Sequence, residues 1–542
     1  MKSKKHLWSV PILAVLSLVA LGLASRPALA RTSALGTAPK PITISIQSDT
    51  PLGVFHGRAY REIHAFMSSN APGDAHTKPG SYSVPIVIAC PVRAHDFSGF
   101  GLVDVLNTTF IDNAFANPLG GEGRALPLAR ILIGDETLFG SGVFYIAVQW
   151  DTFATGVTGG TISNPSIGNE IIRDASRVLR NSSAYLPNGV GQDVHDVIGF
   201  GYSQSARIIL GLYVQGLNTL PEGGLLFDGG LYGAARGAWV STDFTAFNNI
   251  NLTHKQYDCG LLASVRSTCP LDVPAFTGKV MSVSSETDAV LGGFLERAEP
   301  GDPAFKNYRH YEIAGVPHID VSTADFRSVG NPQQNTVSSR PVFRALFTSL
   351  TDWLDGDDVD GEHHNGAHHD GVLVGERDGE GDEHGEAPPA SVAIDSLNQD
   401  PGIDPVALNI ALELVRDADG NAVGGIRLPH VRTTVKGKQI GAPLGSYNGR
   451  FLATDSSAPR MRRFFLEITG TFTPFSAPTL CERYTDHDGY VDSVARGAAH
   501  ALKHGWILSA DAAAYVRDAA ESDIGRHCGD HDDGDHHNGP HN

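Results

Sequence analysis

The sequence predicts an α/β fold in which a mostly parallel sheet is covered by helices on both faces. Between residues 41 and 355, short apolar runs of strand length alternate with longer segments of helical periodicity. This alternation is typical of parallel sheets, whose strands are buried on both faces and are joined by helices. The composition agrees, because 41% of the residues are hydrophobic and 19% are charged, which suits a globular protein with a large core.

The predicted elements follow from local patterns of apolar residues. The expected strands are Pro85–Ala89, Gly101–Leu106, Val143–Gln149, Val194–Phe200, Lys279–Ser284 and Tyr308–Ile313, and the expected helices between them include Asn169–Arg180, Ser205–Leu217 and Pro341–Leu354. Residues 387–526 are also expected to fold, with helices at Pro405–Val415, Val491–His504 and Ser509–Ala520 and a strand at Phe464–Phe472.

Two acidic segments interrupt this pattern, at residues 356–386 and 527–542. The stretch Asp355–Glu386 holds twelve acidic residues and one Arg, and the two segments together hold ten of the 23 histidines. They contain too little apolar surface to offset the entropy of ordering, so they are expected to be disordered. A solubilising role is the first expectation, and loose binding of zinc, nickel or copper stays open. Neither an H-E-x-x-H helix nor a twelve-residue calcium loop occurs, so no defined metal site is predicted.

The N-terminus has the features of a secretory signal peptide over residues 1–30. Lys2, Lys4 and Lys5 are basic, Pro11–Leu23 is apolar, and Ala28–Ala30 offers a small-x-small cleavage site. A retained membrane anchor is the alternative. No other apolar run is long enough to cross a bilayer. We therefore expect a secreted or periplasmic protein with no stable membrane span after cleavage.

Charge and cysteines narrow the class of protein further. The formal net charge of −19 argues against nucleic acid as a partner, because phosphate binding needs clusters of Lys and Arg. Export permits disulfides. The favoured pair is Cys259 with Cys269, Cys481 with Cys528 is a second expectation, and Cys90 is expected to be a buried thiol. No Rossmann fingerprint, P-loop or haem motif occurs, so no organic cofactor is predicted.

The segment from Val194 to Ala206 is a candidate nucleophile turn. An apolar strand leads into Ser203, which is flanked two residues away by Gly201 and Ser205, and a helix-compatible run follows. A nucleophile elbow needs this order of strand, tight turn and helix, with small residues at both flanking positions. An ordinary strand-to-helix turn capped by Ser203 is the structural alternative.

A serine hydroxyl is a weak nucleophile and needs a base, which in the α/β-hydrolase arrangement follows an acidic residue along the chain. Asp288 ends one alternating strand and His318 lies in the loop after the next, so the order is the expected one. Glu286 competes with Asp288 as the acid, although the spacing favours Asp288. His310 is a weaker base candidate, because it lies inside the predicted strand. A solvated carboxylate and a surface histidine are the structural alternatives.

The oxyanion hole is expected to use backbone N–H groups. The first is that of Gln204, which follows the serine at the start of a helix. The second is expected in the loop that begins at Asn107, at the end of strand Gly101–Leu106.

Several of these segments resemble a poorly characterised bacterial α/β-hydrolase family of serine esterase-like proteins, which are often exported. The resemblance covers most of the mature chain and lies in Gly101–Asn107, Phe200–Ala206, Phe227–Gly230, Ser285–Asp288, Ala314–His318, Ala387–Ser391, Asp417–Pro429 and Tyr484–Ala520. Ser205 and Ala206 depart from the Ser-Gly that the family commonly has there.

The resemblance implies an α/β-hydrolase core over residues 31–355. It also implies that residues 387–526 are the C-terminal part of the same unit, with the acidic segment as an insertion. Ester hydrolysis is the implied activity, on a small-molecule or polymeric ester. Acyl transfer and polyester depolymerisation by the same triad stay open, as does a non-enzymatic, metal-binding protein on a hydrolase fold.

Overall fold

A computed structural model gives the structure for a defined set of residues. It describes residues 41–72, 79–107, 127–151, 159–187, 189–192, 194–235, 238–239, 258–259, 276–291, 296–297, 306–320, 327, 331–356, 388–396, 413–435, 438–451 and 465–528. These residues belong to one compact unit, 40–542. The predicted signal peptide, almost all of the segment 356–386 and the tail from residue 529 lie outside the described residues.

A ten-stranded mixed sheet lies at the centre of the unit. Its order is β1-β2-β3-β5-β4-β7-β8-β11-β12, with β6 paired to β3. The strands are β1 (Thr43–Phe55), β2 (Arg58–Ala71), β3 (Gly80–Pro91), β4 (Phe100–Val105), β5 (Phe144–Val148), β6 (Thr161–Ile162), β7 (Asp196–Tyr202), β8 (Gly229–Gly233), β11 (Lys279–Ser285) and β12 (Tyr308–Ile313). From β5 to β12 along this order neighbours are parallel, and β1, β2, β3 and β6 add an antiparallel side.

Three two-stranded sheets complete the strands of the described residues. They pair β9 (Ala238–Trp239) with β10 (Asp258–Cys259), β13 (Thr433–Val435) with β14 (Lys438–Ile440), and β15 (Gly445–Asn448) with β16 (Thr471–Pro474).

Burial explains which strands the apolar pattern revealed. Every residue of β4, β5, β7 and β11 is buried, as expected of parallel strands covered on both faces. Strand β8 was not predicted, because its sequence is rich in glycine. A Cβ on Gly229 would lie 2.8 Å from Leu354 Cδ1, and one on Gly230 would lie 2.8 Å from Tyr213 Oη. Glycine there lets helices pack closely against the strand.

The helices lie on both faces of the sheet. They are α1 (Leu128–Leu132), α2 (Asp135–Gly140), α3 (Gly168–Arg180), α4 (Ser182–Tyr185), α5 (Gln204–Val214), α6 (Glu286–Leu291), α7 (Arg340–Asp355), α8 (Ala477–Tyr484), α9 (His487–Lys503) and α10 (Ser509–Glu521). Successive strand residues such as Leu102 and Val103 enter different core clusters, as opposite faces require. One cluster contains residues of α3 and α5, and the other contains residues of α1, α2, α7 and α9.

The chain beyond residue 387 packs on the same core. Tyr311 and Ile313 of β12 form parallel bridges with Val392 and Ile426. The bridges are held by hydrogen bonds such as Ile426 N–H to Glu312 O at 2.7 Å. The C-terminal segments thereby cover the edge of the sheet at β12, and their apolar side chains join the cluster that contains α7.

Two predicted elements of the C-terminal part differ from the structure over their described residues. Phe464–Phe472 is not one strand, because residues 465–467 are helical and β16 begins only at Thr471. The predicted helix Pro405–Val415 is extended at its described end, where Leu414 bridges Ser396; residues 405–412 lie outside the described residues. In both cases a short apolar run is compatible with either a strand or a helix, so its pattern alone does not predict the element.

The cysteines follow the expectations in part. Cys481 and Cys528 form a disulfide with a Cα–Cα distance of 5.1 Å, and Cys90 is a buried thiol. The disulfide corrects the predicted tail 527–542, because His527 and Cys528 belong to a described turn. The pairing of Cys259 with Cys269 lies outside the described residues.

Within the described ranges, every helix is too short or too polar to span a bilayer.

Candidate active site

Ser203 occupies a sharp turn between β7 and α5. Its backbone has φ +56° and ψ −112°, an unusual conformation for a residue other than glycine. Its N–H donates to Gly233 O of β8 at 2.7 Å. A Cβ on Gly201 would lie 2.8 Å from Ile209 Cδ1 and 2.9 Å from Ala206 N. The strained serine and the enforced glycine are the features of a nucleophile elbow.

Ser205 explains how the turn tolerates the loss of its second glycine. The side chain is fully buried. Its Oγ accepts a hydrogen bond from Tyr202 N–H at 2.9 Å and donates to Tyr202 O at 3.1 Å. The hydroxyl therefore finds both of its partners inside the turn and closes it around Ser203.

Asp288 and His318 are in direct contact. The distance from His318 Nδ1 to Asp288 Oδ1 is 2.7 Å, and the exposed fractions of the two residues are 7% and 0%. An acidic partner at Nδ1 favours the tautomer that carries its proton there, which leaves Nε2 as a proton acceptor. The structural alternative, a solvated turn carboxylate at Asp288, is excluded by this burial.

The other oxygen of Asp288 caps helix α6. Asp288 Oδ2 accepts from Ser285 N–H at 3.2 Å and from the Ser285 hydroxyl, and Asp288 N–H lies 3.2 Å from Ser285 Oγ. This is a capping box. It leaves Oδ1 directed at His318, so the fold of the helix start orients the acid.

Glu286 is engaged elsewhere. Its Oε2 accepts from Gly315 N–H at 2.7 Å, and its Oε1 accepts from Arg416 Nη2 at 2.8 Å and Gly449 N–H at 3.0 Å. These contacts tie α6 to the loop before His318 and to the C-terminal part. Of the two acids that the spacing allowed, Asp288 is the one that meets the histidine.

His310 lies inside β12, away from the strand ends. Its Nδ1 is 3.2 Å from Ser282 Oγ and its Nε2 is 3.2 Å from Glu312 Oε1. Burial alone would raise the pKa of Glu312, but the bond from His310 and the ion pair with Arg297 lower it to about 2. His310 therefore belongs to a buried ionic network.

The two candidate oxyanion residues lie on either side of the serine turn. Gln204 is the first residue of α5, so its backbone N–H lies at the N-terminus of the helix. The side chain of Asn107 donates from Nδ2 to Tyr202 O at 3.2 Å and so ties the end of β4 to the end of β7. The residues after Asn107 in the predicted loop, Thr108 and Thr109, lie outside the described residues.

Tyr202 connects the histidine loop to the serine turn. Its ring centroid is 5.5 Å from that of His318, and its hydroxyl donates to His318 O at 2.7 Å. Since Tyr202 immediately precedes Ser203, this contact brings the predicted nucleophile, base and acid to one edge of the sheet, as expected for the carboxyl ends of parallel strands.

A family model described as an alpha/beta hydrolase domain matches residues 145–517, which is more than half of the chain. The chain belongs to this alpha/beta hydrolase family. The match begins in β5 and extends through α9 into α10, so it includes the serine turn, the acid, the histidine and the C-terminal part.

The chain is only distantly similar to solved structures. A CE15 glucuronoyl esterase from Teredinibacter turnerae is 12% identical with a TM-score of 0.27, and the match covers 46% of this chain and 62% of that one. The cell wall degrading esterase LipA from Xanthomonas oryzae is 9% identical with a TM-score of 0.33, covering 57% and 99%. Esterase B from Lactobacillus rhamnosis is 11% identical with a TM-score of 0.22, covering 37% and 60%. No curated protein matches the chain.

Sequence reasoning missed the residues that support the site. The segment Ser285–Asp288 has the S/T-x-x-D/E spacing of a capping box, so that signal was present. The contacts of Thr287 and Gly449 had no local signal, because these residues are 162 positions apart. No group of three or more His, Cys, Asp or Glu side chains suited to a metal ion occurs among the described residues.

Proposed function

We propose that this alpha/beta hydrolase is an exported serine esterase that cleaves carboxylic esters through an acyl-enzyme on Ser203. The observation that carries the proposal is the 2.7 Å contact between His318 Nδ1 and Asp288 Oδ1, beside a serine in a strained turn. Export rests on the N-terminal sequence alone. A secreted or periplasmic location is part of the proposal.

The geometry supports a division of roles among three side chains. Ser203 Oγ attacks the ester carbonyl carbon while His318 Nε2 takes the hydroxyl proton. Asp288 keeps the other ring nitrogen protonated and stabilises the imidazolium. His318 then gives its proton to the departing alcohol, and water repeats the sequence to release the acid.

The negative charge that develops on the carbonyl oxygen needs preorganised donors. The N–H of Gln204 at the start of α5 is in the position that such folds use, and the helix N-terminus adds a favourable field. The N–H of Asn107 is the proposed second donor. Its side chain donates to Tyr202 O, which supports the proposal by holding Asn107 beside the serine turn.

The decisive experiment is labelling by a fluorophosphonate probe together with hydrolysis of p-nitrophenyl butyrate. Wild-type protein is expected to be labelled once per chain and to release nitrophenol with a burst. Ser203→Ala is expected to abolish both, because the acyl group has no acceptor. Ser205→Gly is a matched control in the same turn that keeps the nucleophile, and it is expected to be labelled.

Full esterase activity in Ser203→Ala would refute the assignment. Product analysis with added alcohols separates hydrolysis from acyl transfer, since an acyltransferase would form the new ester in preference to the free acid. Release of soluble products from a polyester film would assign the depolymerase activity.

A further inference from the structure

The backbone of His318 is held by two hydroxyl groups, one on each side of the residue. Its N–H donates to Thr287 Oγ1 at 2.9 Å, and its carbonyl accepts from the Tyr202 hydroxyl at 2.7 Å. Neither hydroxyl belongs to the three proposed reacting groups. The imidazole is held separately by Asp288, so the ring and the peptide of His318 have independent anchors.

Thr287 connects His318 to the C-terminal part of the chain. Its side chain is fully buried, and its hydroxyl donates to Gly449 O. Because the hydroxyl proton is used there, an oxygen lone pair is left for the N–H of His318. One oxygen atom therefore joins the loop of the histidine to a residue 162 positions from Thr287 along the chain.

Gly449 lies directly on the start of helix α6. Its N–H donates to Glu286 Oε1 at 3.0 Å, and a Cβ on it would lie 2.5 Å from Thr287 N. Arg416 of the C-terminal part bonds the same carboxylate at 2.8 Å. The C-terminal part thus fixes the helix that carries both the acid and Thr287.

Tyr202 connects His318 to the nucleophile. The residue precedes Ser203, and its ring contacts those of His318 and Phe343, with centroid distances of 5.5 Å and 5.9 Å. The hydrogen bond from the Tyr202 hydroxyl therefore joins the loop that carries His318 to the turn that carries Ser203.

We propose that Thr287 and Tyr202 are positioning residues that hold the His318 backbone so that its Nε2 stays directed at Ser203. Through Thr287, the position of the general base is set by Gly449 of the C-terminal part. This proposal rests on the proposed function. A displacement of about 1 Å in a catalytic group costs on the order of 100-fold in rate, so two hydrogen bonds to one peptide group are enough to matter.

The test compares Thr287→Val, which keeps the shape and loses the hydroxyl, with Thr287→Ser, which keeps the hydroxyl. Fluorophosphonate labelling carried to completion counts the folded, reactive sites, and kcat is expressed per labelled site. We expect Thr287→Val to lower kcat per site by roughly 10- to 100-fold with KM within about twofold, and Thr287→Ser to stay within about threefold of wild type.

Ser176→Ala controls for general destabilisation. Ser176 is fully buried on α3 and donates to Leu226 O at 2.6 Å, so its variant also loses one buried hydrogen bond. It is expected to lower the melting temperature while kcat per site is unchanged. A residue with only a structural role would behave in this way.

Tyr202→Phe tests the second hydrogen bond to the His318 backbone. If Thr287→Val does not fold, this variant alone tests the positioning role. It removes one oxygen atom and keeps the ring contacts, and we expect kcat per site to fall roughly tenfold. Unchanged kcat per site in Tyr202→Phe and in any folded Thr287→Val, or equal impairment in Thr287→Ser and Thr287→Val, would overturn the positioning role. Absence of fluorophosphonate labelling in wild type, or full activity in Ser203→Ala, would instead remove the proposed function itself.

Discussion

Replacing Asp288 by Asn tests the acid while changing almost nothing in shape. The carboxylate has one oxygen on His318 Nδ1 and the other on the N–H and hydroxyl of Ser285. An amide can satisfy Ser285 only with its oxygen. Its NH2 group then faces His318, which must present an unprotonated Nδ1 and carry its proton on Nε2. In that tautomer the ring cannot accept the proton of Ser203.

The expected loss follows from this change of tautomer. Substitution of this kind in a serine–histidine–aspartate triad lowers kcat by about 10⁴. At about 1.4 kcal/mol for each factor of ten, that corresponds to about 5 kcal/mol of transition-state stabilisation. Asp288 is fully buried, so its charge acts on the imidazolium with little screening by solvent.

Glu286→Gln is the matched control, two residues away on the same helix. Its carboxylate bonds two backbone N–H groups and Arg416, not the histidine. We expect it to lower the melting temperature and to keep kcat per labelled site within about tenfold. The assay is p-nitrophenyl butyrate hydrolysis, with the sites counted by fluorophosphonate labelling carried to completion. If Asp288→Asn stayed within tenfold of wild type while Glu286→Gln lost more than 100-fold, the assignment of the acid would be refuted.

Three further outcomes follow from buried groups outside the triad. Burial raises the pKa of Asp104 from 3.8 to about 7, so the folded state binds its proton more tightly and this residue makes the protein less stable as pH rises from about 4 to 7. Asp104→Asn is therefore expected to gain up to about 4 kcal/mol relative to wild type between pH 4 and pH 8, measured by urea unfolding. Ser205→Gly removes two hydrogen bonds to Tyr202 and is expected to cost about 1–3 kcal/mol in the same measurement. Cys528→Ser opens a loop of 47 residues and is expected to cost about 4 kcal/mol, measured by thermal unfolding of the oxidised protein.

Each of these outcomes has its own control. A difference between Asp104→Asn and wild type that does not change with pH would contradict the raised pKa. Equal stability of Ser205→Gly and wild type would mean that the turn does not depend on the hydroxyl. Removing residues 529–542 leaves Cys528 in place and is expected to leave the free energy of unfolding unchanged. A loss of stability in that truncation comparable to that of Cys528→Ser would show that the effect does not come from the disulfide.

Much of the fold was accessible from local patterns. The parallel strands β4, β5, β7, β11 and β12 are short, apolar and followed by helices or loops, so their sequence carried the signal. The antiparallel pair β1 and β2 was not predicted. Strand β1 is largely exposed along its length, so it lacks a strong apolar pattern.

The site shows the same division between local and distant information. The order of Ser203, Asp288 and His318 at successive strand ends follows from sequence, because parallel topology brings those ends together. The choice of Asp288 over Glu286 follows only in part, because the spacing favours Asp288 but both acids lie in the same acidic turn of the sequence. In the structure, Gly315, Gly449 and Arg416 bind the carboxylate of Glu286, which leaves Asp288 as the acid in contact with His318.

The sequence by itself determined the α/β class, the turn that holds Ser203 between a strand and a helix, and the order of its candidate partners. The elements follow from local patterns of residues, and the order follows from positions along the chain. Only the tertiary structure decided the support of the histidine by Thr287 and Tyr202, and the link from Thr287 to Gly449. Those contacts join residues up to 162 positions apart. Their partners are chosen by how the elements pack, which no local pattern of residues records.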